Sequence, residues 1–181
     1  MAKKLKVGIF SFTGDEGCVI VFQEIMNRYF YEWAKYLDFK FCRILQSKNV
    51  IEDIDVSFVE GAVATYKDED KLKKIRENSK KVVAIGSCAI NGAPSNHRNF
   101  FDEKTTAEIQ FILDRFGHRP KVSSISEIIE VDDKVPGCPI IEEKFLEVLN
   151  KYLLEFGVVS DPLPIKDLWL KEPHPVGGKN A

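Results

Sequence analysis

The stretch KVGIFSFTGDEGCVIVFQ, residues 6–23, decides the fold of this chain. Residues 6–12 form a short, mostly apolar run that is typical of a buried strand. Residues 13–17 hold glycines and acidic residues, as turns do, and a segment whose apolar residues have helical spacing follows from about 19 to 36. A strand, a loop and a helix in this order are the beginning of an α/β fold.

The same alternation continues along the rest of the 181 residues. Further strands are predicted at residues 39–45, 55–63, 81–86 and 122–131, and further helices at 67–80, 105–116 and 142–156, with Gly157 ending the last. Strands that alternate with helices over short connections form parallel sheets with right-handed crossovers. The sequence therefore predicts a flavodoxin-like, doubly wound parallel sheet with helices on both faces, in one domain over residues 1–159.

Residues 160–181 depart from this pattern, because four of the eight prolines lie there together with Trp169 and Leu170. Proline removes a backbone donor and favours extended chain. We expect a proline-rich, extended C-terminal tail that either wraps around a partner or packs on its own domain.

Charge and composition exclude several classes of function. The chain has 26 Lys and Arg against 28 Asp and Glu, a net charge of −2, and no long basic block, so nucleic acid is not an expected partner. It has no apolar run of about 18 residues and no secretory signal at its start, which predicts no transmembrane segment and a cytoplasmic location. In a reducing cytoplasm, its four cysteines are expected to be metal ligands, reactive thiols or packing residues rather than disulfides.

Three of the cysteines follow predicted strands. Cys18 comes after the first strand, Cys88 after the fourth and Cys138 after the last, and each has glycine or proline beside it. Loops that follow parallel strands leave the sheet at the same edge, so we expect these thiols to converge. Small neighbours let the backbone approach a bulky inorganic group and leave N–H groups for its sulfides, which suits an iron–sulfur cluster. Cys42 lies inside a predicted strand and is interpreted as ordinary buried packing.

A four-iron cluster normally takes four cysteine ligands, so three thiolates leave it one short. Asp15 lies three residues before Cys18, the separation of the two ligands in a C-x-x-C pair. A carboxylate is a harder ligand than a thiolate and is expected to hold iron less tightly. The alternatives are Glu16 or water as the fourth ligand, a three-iron cluster, or an Asp15 that only caps the following helix.

In their order along the chain, the motifs at residues 10–18, 61–62, 86–89 and 135–139 resemble the small subunit of [NiFe] hydrogenases. The resemblance covers about residues 5–156. The related 20 kDa subunit of respiratory complex I shares the fold, but its adjacent paired cysteines are absent here. The departures from the hydrogenase pattern are Asp15 in place of the usual first cysteine, Ala93 in place of a glycine and Ile140 in place of a proline.

The resemblance implies an electron-transfer subunit of a hydrogenase-type oxidoreductase that oxidises or evolves hydrogen. Its one proximal [4Fe-4S] cluster would be held by Cys18, Cys88 and Cys138, with Asp15 as the fourth ligand. The nickel–iron site belongs to a large-subunit partner, so this chain holds no catalytic residue. Glu16 resembles an acidic residue near the interface with that subunit.

The chain resembles the shorter small subunits of cytosolic or energy-converting multisubunit hydrogenases, because only one cysteine follows Cys88. In those complexes a ferredoxin-like or flavoprotein partner carries the next redox group. Any membrane association would then come through partner subunits.

Three other functions fit parts of the sequence. An FMN-binding flavodoxin-like carrier would use the loop after the first strand, but Asp15 and Glu16 would repel its phosphate. A cysteine hydrolase would need one of His97, His118 or His174 beside a thiol. A cluster-less adapter of the same fold would explain the missing fourth cysteine.

Overall fold

A computed structural model describes residues 3–163 of the protein as seven strands and five α-helices. In chain order the elements are β1 (Leu5–Ser11), α1 (Gly17–Tyr36), β2 (Leu37–Cys42), β3 (Ile54–Glu60), β4 (Val63–Thr65), α2 (Tyr66–Glu77), β5 (Ser79–Ile85), α3 (Gly86–Asn91), α4 (Glu103–Arg115), β6 (His118–Ser123), β7 (Asp133–Val135) and α5 (Glu142–Glu155). Short 3₁₀ turns at His97–Phe100 and Ile125–Glu127 connect some of them.

The central sheet has five strands in the order β2-β1-β3-β5-β7, and all of its pairs are parallel. Helices α1 and α5 pack on one face in a core that contains Phe22, Phe58 and Phe145. Leu72 and Ile75 of α2, together with Ala89 of α3, pack on the other face. The predicted doubly wound sheet with helices on both faces is confirmed, and its strand order reverses at β1 and β3, where such sheets bind ligands.

Helix α1 forms because its apolar residues recur every three or four positions. The side chains of Phe22, Ile25, Met26, Tyr29 and Trp33 are all buried. This stripe lies against the sheet, and the Phe22 and Phe145 rings meet edge to face with their centroids 5.7 Å apart. Packing of α1 therefore fixes the position of its first turn, which carries Cys18.

The prediction of a strand at residues 122–131 was wrong. Residues 118–123 form β6, which pairs antiparallel with β4 in a separate two-stranded sheet, and a capping box between Ser124 and Glu127 begins a 3₁₀ turn. The last strand of the central sheet is instead β7, from Asp133 to Val135. It is held beside β5 because the Asp132 carboxylate accepts the Val82 N–H and pairs with Arg76.

The domain boundary predicted at residues 159 and 160 falls in a segment that the structure describes only up to residue 163. The Asn150 side chain exchanges two hydrogen bonds with the backbone of Leu163, of 3.0 and 3.1 Å. The predicted tail from residue 164 onward, with Trp169 and His174, lies outside the described residues. Within residues 3–163, no helix is long and apolar enough to cross a membrane.

Candidate functional site

The candidate site lies at the carboxyl edge of the central sheet, in the loops that follow β1, β5 and β7. Asp15, Cys88 and Cys138 line one cavity of about 270 Å³. Thr13, Gly14, Pro94 and Ser95 complete its wall. The structure thus brings one predicted carboxylate and two predicted cysteines to the same cavity.

Cys18 lies against the start of α3, the helix that carries Cys88. Gly86 has a φ of +81°, and a Cβ added there would be 2.4 Å from Cys18 Sγ. Only a residue without a side chain leaves room for the Cys18 sulfur at this point. The loop after β7, which carries Cys138, is joined to the start of α3, because the Ser87 N–H and hydroxyl both donate to the Gly137 carbonyl, at 2.8 and 3.1 Å.

Glu60, at the end of β3, is a site residue that the sequence analysis missed. Its carboxylate is buried and accepts the backbone N–H groups of Cys18 and Val19, at 3.2 and 3.0 Å. The carboxylate therefore accepts two of the N–H groups in the first turn of α1 that have no partner within the helix, and it fixes the backbone of Cys18. Burial raises the pKa of Glu60, against the lowering effect of these two hydrogen bonds. The signal available in the sequence was an acidic residue directly after the apolar pair Phe58 and Val59, at the end of the strand.

The thiols differ in environment, and all four are free of disulfides. Burial, followed by repulsion from Glu60, raises the pKa of Cys18 to about 12, although a backbone hydrogen bond at Ile140 opposes this. Cys88 accepts a hydrogen bond from the Ser95 hydroxyl at 3.2 Å. A thiol that stays protonated is a poor nucleophile, so Cys18 itself is not suited to the nucleophilic role in a cysteine hydrolase.

The two neighbouring acids of the loop have different surroundings. Asp15 accepts the Gly17 N–H at 3.0 Å, as a helix-leading aspartate does, while it also lines the cysteine cavity. Glu16 has a left-handed backbone, with a φ of 59°, and accepts the Ser11 hydroxyl at 3.0 Å. Glu16 lines a separate cavity of about 330 Å³, whose wall also includes Cys42.

Cys42 does not line the cavity of Cys88 and Cys138. It ends β2, is 1% exposed and belongs to the core on the α1 face. The interpretation of Cys42 as buried packing is confirmed.

The two histidines of the described residues lie elsewhere as well. His97 packs edge to face on Phe101, with the ring centroids 5.6 Å apart, and His118 lines a third cavity beside α4. The sulfur of Cys88 has Ser95, and not a histidine, as its hydrogen-bond partner.

The donor groups that line the cavity are two thiols and one carboxylate. In the described part of the chain, no group of three or more His, Cys, Asp or Glu side chains could hold one metal ion. Cluster ligands need not meet at one point, because each binds a different iron. Two thiols and one carboxylate line the cavity, and the Cys18 thiol lies beside it against Gly86, so the place offers soft donors and space.

The same geometry disfavours an FMN phosphate. Flavodoxin-like carriers bind phosphate with free N–H groups at the start of the first helix. Here Glu60 already accepts those of Cys18 and Val19, and Asp15 accepts that of Gly17. A phosphate would meet carboxylates in place of donors.

Comparison with known proteins gives one family and a consistent set of relatives. Residues 16–152 match the family model described as NADH ubiquinone oxidoreductase, 20 Kd subunit. The chain is 27% identical over 169 residues to a subunit of the F420-non-reducing hydrogenase of Methanothermobacter marburgensis, covering 84% of this chain and 54% of that subunit. It is 25% identical over 163 residues to the NAD-reducing hydrogenase HoxS subunit delta of Cupriavidus necator, covering 81% and 78%. The chain thus spans about half the length of the first of these relatives.

Solved structures show the same fold. A chain of the NAD+-reducing [NiFe]-hydrogenase in its H2-reduced state superposes with a TM-score of 0.69 at 26% identity, covering 83% of this chain and 92% of that one. A chain of the Ni-Fe-Se hydrogenase from Desulfomicrobium baculatum superposes with a TM-score of 0.62 at 16% identity, covering 91% and 68%. The second likeness concerns the fold alone.

Proposed function

Because the chain belongs to the family of the NADH ubiquinone oxidoreductase 20 kDa subunit, which it shares with hydrogenase subunits, we propose that it is the iron–sulfur small subunit of a [NiFe] hydrogenase-type complex. Its role is to relay electrons between the nickel–iron site of a large subunit and further redox partners. The observation that carries this proposal is the cavity between Asp15, Cys88 and Cys138, with Cys18 packed against the adjoining Gly86.

In this proposal Cys18, Cys88, Cys138 and Asp15 hold one [4Fe-4S] cluster. When bound, the cluster supplies a one-electron carrier. Within the chain, Glu60 orients the first turn of α1, and the tie from Ser87 to Gly137 holds two of the ligand loops together. These contacts bind and orient the ligands and leave the hydrogen chemistry to the partner.

The surface that we assign to the large subunit carries exposed aromatic side chains and follows the cavity wall along the chain. Phe100 lies five residues after Ser95 and is 77% exposed. Helix α4 follows and has no buried residue; Phe111 on this helix and Phe116 directly after it are 68% and 63% exposed. Aromatic side chains at this exposure are typical of a surface that another protein covers.

Cell location follows from the same assignment. We place the complex in the cytoplasm, where thiol ligands stay reduced, with any membrane attachment provided by partner subunits. A ferredoxin-like or flavoprotein subunit is the expected next electron carrier.

Iron and acid-labile sulfide analysis of the anaerobically purified full chain tests the proposal. We expect about four irons and four sulfides per chain. Replacement of Cys88 or Cys138 by alanine should remove most of the iron, while the matched control Cys42→Ala should keep it. Bound yellow flavin would favour the FMN carrier, and the absence of both iron and flavin would favour the adapter; either outcome overturns the proposal.

Two substitutions test the carboxylate ligand. Asp15→Cys completes a four-cysteine set and is expected to hold iron more tightly, because thiolate is the softer ligand. Asp15→Ala should lose one iron and give the electron paramagnetic resonance signal of a three-iron cluster. If Asp15→Ala keeps about four irons and an unchanged signal, Asp15 serves only to accept the Gly17 N–H.

A further inference from the structure

The sulfur of Cys88 accepts a hydrogen bond from a side-chain hydroxyl. Ser95, seven residues further along the chain, donates from its Oγ to Cys88 Sγ at 3.2 Å. Both residues are partly buried, and both line the cavity shared with Asp15 and Cys138. The hydrogen bond therefore lies at the place where we propose the iron–sulfur cluster.

A tight backbone turn holds Ser95 close to the helix that carries Cys88. Gly92, the residue after α3, has a φ of +83°, and its N–H donates to the Cys88 carbonyl at 3.0 Å. The chain then turns back, because the Asn96 N–H donates to the Gly92 carbonyl at 2.8 Å. A Cβ at Gly92 would lie 2.9 Å from the side-chain nitrogen of Asn96, so this position favours glycine. Ser95 lies within the turn that these bonds close.

Hydrogen bonds to β6 hold the chain on the other side of Ser95. The Asn99 side chain exchanges two hydrogen bonds with the backbone of Val122, both of 2.8 Å. The Arg98 guanidinium donates to two backbone carbonyls of β6, at 2.7 and 3.1 Å. The segment that carries Ser95 is thus held at one end by α3 and at the other by β6. Its hydroxyl is placed by the fold beside the Cys88 sulfur.

Two of the proposed cysteine ligands accept hydrogen bonds of different kinds. Cys88 accepts one from a side-chain hydroxyl, whereas Cys18 accepts one from the backbone at Ile140. A substitution at residue 95 removes the hydroxyl without changing the main chain. The effect of this one hydrogen bond can therefore be measured separately.

Hydrogen bonds to ligand sulfurs are one of the factors that set the reduction potential of an iron–sulfur cluster. Reduction adds negative charge to the cluster and its ligands, and a hydrogen-bond donor stabilises the more negative state. A donor that contacts a ligand atom also holds that atom in its binding position. We expect the Ser95 hydroxyl to favour the reduced form.

We propose that Ser95 is a positioning residue that acts through the sulfur of Cys88 and raises the reduction potential of the cluster. The proposal rests on the iron–sulfur function proposed above. It assigns part of the control over the driving force of electron transfer to the segment between α3 and β6 of this chain.

A redox titration of the anaerobically purified full chain, followed by electron paramagnetic resonance, tests this proposal once the iron content has been determined. Ser95→Ala should lower the equilibrium constant for one-electron reduction by about three- to tenfold, a downward shift of about 28–59 mV in potential. Ser95→Thr keeps a hydroxyl and should stay close to the unchanged chain. Water admitted beside the smaller alanine would stabilise the more highly charged reduced form and shift the potential upward. A downward shift therefore reports the lost hydrogen bond.

The matched control is Ser11→Ala, the same substitution at the end of β1. The Ser11 hydroxyl donates to the Glu16 carboxylate at 3.0 Å and lines the separate cavity of Glu16, so its loss should leave the potential unchanged. The role of Ser95 is overturned if both alanine variants shift the potential equally, or if Ser95→Ala loses iron or keeps it with no lowered potential. A chain without iron before any substitution overturns the relay function, and this proposal with it.

Discussion

Substitution of Gly86 by alanine measures how tightly the loop of Cys88 packs on the sulfur of Cys18. The positive φ of Gly86 costs an alanine about 1–2 kcal/mol. In addition, the new Cβ would lie 2.4 Å from Cys18 Sγ, about 1 Å short of ordinary contact, and overpacking of this kind costs a further 1–3 kcal/mol or so. We expect Gly86→Ala to lower the free energy of unfolding by about 2–5 kcal/mol.

The assay is urea unfolding of the metal-free full chain under reducing conditions, followed by circular dichroism. Gly117→Ala is the matched control, because Gly117 also has a positive φ but nothing lies within 4 Å of its added Cβ. Gly117→Ala should lower the free energy of unfolding only by the cost of the positive φ, about 1–2 kcal/mol. In a Cys18→Ala background the sulfur is gone, and Gly86→Ala should then cost no more than the control.

Iron content provides a second measurement for the same variants. Gly86→Ala displaces a proposed ligand and should lower the iron retained per chain, whereas Gly117→Ala should not. The packing argument is refuted if Gly86→Ala costs no more than Gly117→Ala, or if its cost is the same with and without the Cys18 sulfur.

Other predictions concern stability and assembly. Burial alone would raise the pKa of Asp132, but hydrogen bonds from a backbone N–H and from the Arg76 guanidinium lower it. The ionised Asp132 therefore stabilises the fold fully above the ordinary aspartate pKa of about 4, and this stabilisation is lost as the pH falls. Asp132→Asn should therefore flatten the acid side of a plot of urea midpoint against pH; an unchanged slope would contradict this. Tyr152→Phe removes the hydrogen bond from α5 to Asp133 and should cost about 1.5–3 kcal/mol in urea unfolding without changing iron content. Phe111→Ser, at a 68% exposed position, should leave the urea midpoint unchanged but weaken co-purification with the large subunit; the opposite pattern would mean that Phe111 belongs to the core.

The main features of the fold could be predicted because they depend on periodicity. The apolar run of β1 and the helical spacing in α1 are strong local signals, and parallel topology then predicts that loops after strands share one edge. That argument predicted that Cys18, Cys88 and Cys138 converge: Cys88 and Cys138 line one cavity, while Cys18 lies beside it against Gly86. It needed no knowledge of side-chain contacts.

The parts that could not be predicted depend on contacts distant in the sequence. Strand β7 has only three residues, two of them charged, so periodicity cannot reveal it. The apolar residues Ile128, Ile129 and Val131, which suggested a strand, instead pack against the core on the α2 face from a non-strand segment. Glu60 was missed because its role exists only once α1 is folded back onto the end of β3.

The four cysteines differ widely in solvent exposure. Cys42 and Cys18 are 1% and 7% exposed, Cys88 is partly buried and Cys138 is exposed. In the metal-free chain, peroxide formed in air therefore reaches the accessible thiol of Cys138 first. Oxidation of Cys138 leaves the buried core unchanged, so an oxidised sample can unfold at the same temperature as a reduced one. The extent of oxidation of a metal-free preparation is better measured by counting reactive thiols than by thermal unfolding.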